Sequence, residues 1–507
     1  MRSKITKNGY IIDKKSIRQD ELLKIRLELT VTPEIPSNFA KLAKPDPFRL
    51  YMESEKLISI PRFYGVSKFG NPNRNLLAEN KYPKQKMKFN GSMRPNQVII
   101  VNNVIKGLDS GYGGILVSGC GSGKTNMAIY IACKYRLKTL FIVHKEFLKN
   151  QIIDRIKTFT NCKKVGIIQQ DKVNTEPAFA VGMIQSLTSR DYDRSVFSDF
   201  GMIIIDEVHH MGSRKFSSFF KKIAARYMLG ISAESQRNDK LYKIINWYMG
   251  PILHHEEQKP NSMVVVKRYN FRTKNNKRTK LIFNHLTECY DKVAMVTNLI
   301  VIKYRNRLVA NLIHIMHSHS KNILFLTDRR DHVDILYDLL EDNEYTRGHV
   351  GKYMGKMKQS DLDKSSIKQI ILGTFSMAQE ALDIPNLNVV ILSTPKSNIK
   401  QSVGRILRKE TYDEHPIVID IVDADNSVFR KQSKRREQYY LSKSYAIQDY
   451  NVSDYDCDCD DNILWDDIEE LERTILRSPE IYKPEPSYNR NSDIGFLEDS
   501  ESDSESS

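Results

Sequence analysis

No apolar run in this chain approaches the roughly 20 residues needed to cross a bilayer, and its opening residues, MRSKITKNGY, contain no apolar signal core. A soluble protein that engages no membrane is expected. Cysteine is scarce, with six among 507 residues: Cys120, Cys133, Cys162, Cys289, Cys457 and Cys459. They form no paired framework, which excludes a disulfide-stapled scaffold and fits a reducing compartment. No internal repeat recurs at a fixed period. Metal signatures are weak. His314, His317 and His319 close an apolar helical pattern without cysteine or carboxylate partners at ligand spacing, and Cys457 and Cys459 alternate with Asp456, Asp458 and Asp460 in an acidic run.

What is present is positive charge, unevenly spread. The chain has 78 basic and 62 acidic side chains, a net of +16, yet residues 451–507 hold 18 of the acidic and only 4 of the basic ones. That tail carries −14 and ends EDSESDSESS, while residues 1–450 carry about +30. The tail lacks the apolar content to fold and is expected to be disordered. The basic body is an electrostatic footprint for a polyanion, most economically nucleic acid. With 40% hydrophobic residues, the chain can support two or three domains with real cores.

Three ordered segments suggest phosphate chemistry. In Ser118–Thr125 (SGCGSGKT), Gly119, Gly121 and Gly123, with Ser118, Cys120 and Ser122 between them, let backbone N–H groups converge on phosphate oxygens. Lys124 is placed to hold the β- and γ-phosphates of ATP, and Thr125 to put its hydroxyl on Mg²⁺. The strict pattern asks for glycine where this chain has Ser118. Next, the run Met202–Ile205 delivers Asp206 and Glu207 from the end of a predicted buried strand. Asp206 suits the metal's water shell and Glu207 the attacking water. An acidic pair after a strand is ordinarily a solvated loop, but this one follows Thr125 by 81 residues, room for intervening βα units. Third, Gln401–Arg408 (QSVGRILR) predicts a helix with Arg405 and Arg408 on one face and Gly404 beside them, two guanidiniums able to grip a γ-phosphate.

Strand-like runs alternate with helical patterns over two stretches, which predicts two doubly wound parallel sheets, an α/β fold. The first set is Gly114–Val117, Thr139–Val143, Ala180–Ile184, Met202–Ile205 and Met228–Ser232. The second is Asn322–Leu326, Gln369–Gly373, Asn388–Leu392 and Pro416–Val422, after a helical Asn298–His317. The expected organisation is an N-terminal accessory region at 1–92, a first nucleotide-binding domain at 93–255, a basic connector at 256–295, a second domain at 296–450 and the acidic tail at 451–507. The accessory region either packs on the first domain or guides nucleic acid. Asn426–Tyr440 (NSVFRKQSKRREQYY) predicts a helix with cations outward and tyrosines inward, or a merely solvated basic helix.

Taken together, roughly Met93–Tyr440 resembles the superfamily 2 helicases, within them the XPB and UvsW-like branch, and is similar to helicases of large cytoplasmic DNA viruses, the poxvirus and asfarvirus ones among them. The resemblance implies two RecA-like domains. It implies that Arg94 and Gln97 belong to the adenine-sensing segment and that His144, Lys145, Gln185, Ser186, Arg329 and Thr374 contact nucleic acid. It further implies that His209, Ser232, Ala233, Asp383 and Gln401 couple nucleotide to strand. Glu234, where the family has threonine, and Ala381, where glycine is common, depart from the pattern.

The expectation is an ATP-dependent helicase or translocase, with Lys124, Asp206, Glu207, Arg405 and Arg408 catalytic and Thr125 and Asp206 on Mg²⁺. It would act on DNA in transcript release, recombination or repair, alongside transcription or repair proteins, as a monomer in the cytoplasm or virion. The alternatives are an RNA helicase and a binding scaffold whose motor has decayed.

Overall fold

A computed structural model describes residues 2–32, 46–79, 84–119, 121–233, 242–256, 263–274, 276–286, 288–380, 384, 386–407, 415–453 and 468–476. They fall into two compact units, one within residues 1–258 and one within 259–496.

The first unit begins with a small five-stranded sheet, ordered Met52–Glu53, Leu57–Ile60, Gly9–Asp13, Ser3–Thr6, Arg74–Asn75. It packs against the larger sheet that follows. Arg62 donates to the carbonyls of Ala225 and Arg226 at 3.3 and 3.0 Å, and the Tyr248 hydroxyl donates to Leu50 O at 2.8 Å. The Tyr64 and Trp247 rings meet edge to face at 5.4 Å. Gly113 is required at this junction because a Cβ there would lie 2.2 Å from the Phe63 ring.

Helix α1 (Pro95–Gly111) leads into the larger sheet. Its strands are β1 (Gly113–Val117), β2 (Thr139–Val143), β3 (Gly166–Gln169), β4 (Lys172–Asn174), β5 (Phe179–Met183), β6 (Met202–Asp206), β7 (Tyr227–Ser232) and β8 (Ile252–His255). Their spatial order is β4-β3-β5-β2-β6-β7-β1-β8, parallel throughout except for the antiparallel β3–β4 edge. Helices α2 (Lys124–Tyr135), α3 (Glu146–Phe159) and α4 (Ile184–Ser189) follow β1, β2 and β5. The alternation of side chains explains why both faces are covered. Ile115, Leu140, Ile142, Ile203 and Ile205 enter one core, while Leu116, Phe141, Val143, Met202 and Ile204 enter another on the opposite face.

In the second unit, β9 (Val265–Arg272), β10 (Ile323–Thr327), β11 (Val350–Tyr353), β12 (Ile370–Thr374), β13 (Val389–Leu392), β14 (Ile417–Asp423) and β15 (Ala446–Ser453) form one parallel sheet. Its order is β11-β12-β10-β13-β14-β9-β15. Helices α5 (Lys303–Ser318), α6 (Ser427–Ser442) and α7 (Ile468–Leu476) belong to this unit. The α/β expectation therefore holds for both halves.

Two sequence expectations give way here. Part of the stretch expected as a basic connector is β9, an interior strand between β14 and β15, in which Lys267 and Arg268 are buried. Lys267 Nζ donates to Gln448 Oε1 at 2.7 Å and Thr474 O at 2.9 Å, and Arg268 reaches Ser433, Asp449 and Glu437. A buried cation with such partners costs little, so a KR pair inside a VVVKRYNF run is compatible with a core strand. Within the tail expected as disordered, α7 is ordered against this unit. Leu471 and Ile475, one turn apart, are buried, and the Tyr269 and Tyr450 hydroxyls bond Thr474.

Candidate nucleotide and nucleic-acid site

The phosphate loop, the acidic pair and the expected nucleic-acid segments of the first unit follow the carboxyl ends of its parallel strands. β1 is completely buried and delivers Ser118, whose N–H donates to Ser232 O at the end of β7, 3.1 Å away. The loop then turns through Gly121 and Gly123, both at positive φ (79° and 84°), a conformation open to glycine because it has no Cβ. A Cβ on Gly123 would also lie 2.5 Å from Gln97 Nε2. Lys124 opens α2, and its ammonium is held by the carbonyls of Ser118 and Gly119, both at 2.9 Å. Ser122 Oγ is buried and makes no hydrogen bond among the described residues. Cys120 lies outside them.

Gln97, 4% exposed, donates to Ser122 O at 2.8 Å and accepts the Arg94 N–H at 3.0 Å. The two residues expected to read adenine therefore also brace the phosphate loop from the start of α1.

β6 delivers Asp206 and Glu207. Asp206 Oδ1 accepts the Glu207 N–H at 3.0 Å, and Glu207 sits at φ 46°, a left-handed turn that aims its carboxylate back beside the strand end. Glu207 Oε2 lies 3.3 Å from His209 Nδ1, and that nitrogen pairs with Ser232 Oγ at 3.0 Å. Burial, and then the charge of Glu207, lifts the Asp206 carboxyl above its ordinary range against the pull of Lys124. For Glu207 burial acts upward, but the hydrogen bond and charge of His209, with the charge of Lys124, outweigh it and hold the group low. The two carboxyls titrate as one coupled pair, with Asp206 pushed up chiefly by burial and Glu207 held down by His209 against burial.

The segments expected to touch nucleic acid end β2 and β5. His144 follows β2 and packs its ring 4.5 Å from that of His210, while Lys145 immediately precedes α3. Gln185, in α4, donates to His144 O at 2.5 Å, tying the two segments together. Ser186 is buried and accepts the Gln170 N–H at 3.0 Å, so its hydroxyl holds the β3–β4 turn.

In the second unit, Arg329 follows β10 and donates to Val293 O at 2.7 Å. Thr374 ends β12, its hydroxyl 3.2 Å from that of Ser376. The helix expected over Gln401–Arg408 is short. It spans Lys400–Val403, and Gly404–Ile406 form a turn, so Arg405 stands past the helix end. Gly404, read as a spacer, is the C-cap of that helix at φ −60°, a conformation open to any residue. Arg408, Glu234, Ala381 and Asp383 lie outside the described residues, and Ala233 closes the described stretch after β7.

A family model described as "Type III restriction enzyme, res subunit" matches residues 90–237, and one described as "Helicase conserved C-terminal domain" matches 304–410. Two curated relatives bear the name "Putative ATP-dependent RNA helicase". L396 of Acanthamoeba polyphaga mimivirus is 52% identical over 488 residues, 95% of this chain and 93% of its own. QP509L of African swine fever virus is 26% identical over 379 residues, 69% of this chain and 72% of its own. The chain is a superfamily 2 helicase of the viral type. The fold agrees: a structure titled "S. cerevisiae Dbp5 bound to RNA and ADP BeF3" aligns with a TM-score of 0.51 at 12% identity, covering 76% of this chain and 98% of that one. The helicase therefore comprises two RecA-like domains and is ATP-dependent.

One participant at the phosphate loop of this helicase escaped the sequence reading. Ser118 Oγ, in the position where glycine is usual, donates a short hydrogen bond to Glu256, the residue just beyond β8. The signal was the serine itself, because a fully buried hydroxyl requires a partner.

Proposed function

We propose that this helicase is a DNA-stimulated ATPase that moves along nucleic acid, acting as a monomer in the cytoplasm or virion, in transcript release, recombination or repair. The observation that carries the reading is the convergence of Lys124, Asp206 and Glu207 at the carboxyl ends of β1 and β6, two strands of one sheet with β7 between them, in a chain whose first 450 residues are strongly basic. The loop fits a triphosphate. Gly121 and Gly123 hold it at positive φ, Lys124 rests on loop carbonyls, and Ser122 has a buried hydroxyl to offer. Thr125 and Asp206 would hold Mg²⁺, which would neutralise charge on the transferred phosphoryl group. Glu207, 3.3 Å from His209, orients the attacking water, and Arg405 with Arg408 supply positive charge to the γ-phosphate. His144, Lys145, Gln185, Arg329 and Thr374 bind the strand backbone, so binding is salt-sensitive and largely independent of sequence.

DNA is favoured by the restriction-subunit model matched over the first domain. An RNA substrate is the second reading, favoured by the names of the two viral relatives. ATPase activity with matched single-stranded DNA and RNA decides between them: stimulation by DNA alone supports the first reading, and stimulation by RNA alone replaces it.

A further inference from the structure

Ser118 is a crossroads. Its carbonyl receives the Lys124 ammonium, its N–H reaches the end of β7, and its hydroxyl reaches Glu256. Glu256 is itself pinned, because its N–H donates to Val117 O at 2.9 Å and extends the β8–β1 pairing by one residue. From Ser118 the contacts continue through Ser232 to His209 and Glu207. A carboxylate two bonds of contact away from the loop lysine, and joined to the water-orienting carboxylate through packed polar groups, has two physical consequences. It fixes where the loop begins, and it places a negative charge beside a site built for phosphate.

We propose that Glu256 is a positioning residue for ATP turnover: through Ser118 it sets the first turn of the phosphate loop, and its charge weakens the loop's hold on nucleotide. This rests on the loop being the ATP site. Glycine at position 118 would leave the Glu256 carboxylate without this partner, which gives the serine a reason to stand there. The charge thus acts on nucleotide affinity, while the hydrogen bond keeps the loop in register.

The test uses the full chain, with ATP turnover on saturating single-stranded DNA or RNA, whichever stimulates, and affinity for a fluorescent ADP analogue. Glu256→Gln keeps an acceptor for Ser118 and removes the charge. It should bind the analogue about threefold tighter with kcat within about twofold of the parent. Glu256→Ala and Ser118→Ala each break the contact and should each lower kcat about tenfold, with the double variant no worse than either single one. Unchanged or weaker binding by Glu256→Gln, or a double variant losing the product of the two single effects, overturns the proposal. If Glu256→Ala does not fold, Glu256→Gln and Ser118→Ala still decide it. Lys124→Ala separates the layers, since normal turnover by that variant refutes the ATP site itself whatever Glu256 does.

Discussion

In the first unit the charged groups that matter gather at one edge of the sheet: Lys124, Asp206, Glu207 and Glu256 lie where β1, β6 and β8 end. In the second, the most deeply buried charges are inside the packing. Arg305 pairs with Asp423 at 2.7 Å and Arg436 with Asp420 at 2.8 Å, all four residues buried, and Tyr440 donates to Asp420 at 3.0 Å. Residues of the same chemical type thus serve cohesion in one half and, in the function proposed above, reaction chemistry in the other. What separates them is the partner: a buried opposite charge in the same packing marks a structural charge, whereas buried carboxylates and an unbonded buried hydroxyl beside a glycine-rich loop mark a candidate site.

The comparison can be broken at several points. Lys124→Ala should lower ATP turnover at least a hundredfold, measured with saturating nucleic acid, while leaving the melting temperature close to the parent's. Arg305→Ala should do the reverse. It leaves Asp423 buried without its ion-pair partner at a cost of about 3–5 kcal/mol, read as loss of denaturation midpoint, with little effect on nucleotide affinity in whatever fraction remains folded. A smaller effect belongs to His332, which is held between Thr327 Oγ1 and Asn306 Oδ1 and whose pKa is pushed well down by burial and then by the Arg305 charge. Below the ordinary histidine value of about 6.5 the unfolded chain takes up a proton that the folded one refuses. Stability should therefore fall by up to about 1.4 kcal/mol per pH unit as pH drops, and His332→Gln should flatten that slope in thermal melts. The smallest effect is at the exposed Lys434 of α6. If that face meets the backbone, Lys434→Ala should reduce the salt slope of nucleic-acid binding by about 0.9, whereas Arg436 on the buried face should affect stability and not the slope.

The strands of both sheets were readable as short apolar runs because a doubly covered parallel sheet asks for little else. Expected and observed bounds for β2 coincide at Thr139–Val143, and β14, expected over Pro416–Val422, is Ile417–Asp423. β9 was not readable, since Lys267 and Arg268 give it the composition of a linker and their partners lie about 165 to 207 residues further along the chain. For the same reason Asn426–Tyr440 was only half legible. Its tyrosine at 440 is in the core as the spacing suggested, but Arg436, expected among the outward cations, is 1% exposed and spoken for by Asp420. Leu471 and Ile475 were hidden among acidic neighbours whose average composition forbids folding, although a two-residue apolar stripe suffices once a surface exists to receive it.

The sequence by itself determined the engine: the glycine-rich loop with its lysine, the acidic pair and the alternating strands are local patterns, set by backbone geometry and side-chain periodicity over a few residues. Only the tertiary structure decided which cations are structural, that the accessory region packs on the first large sheet, and that Ser118 answers to Glu256. Those outcomes depend on partners far apart in the chain, and burial, which makes a charge costly until it is paired, is a property of the folded whole.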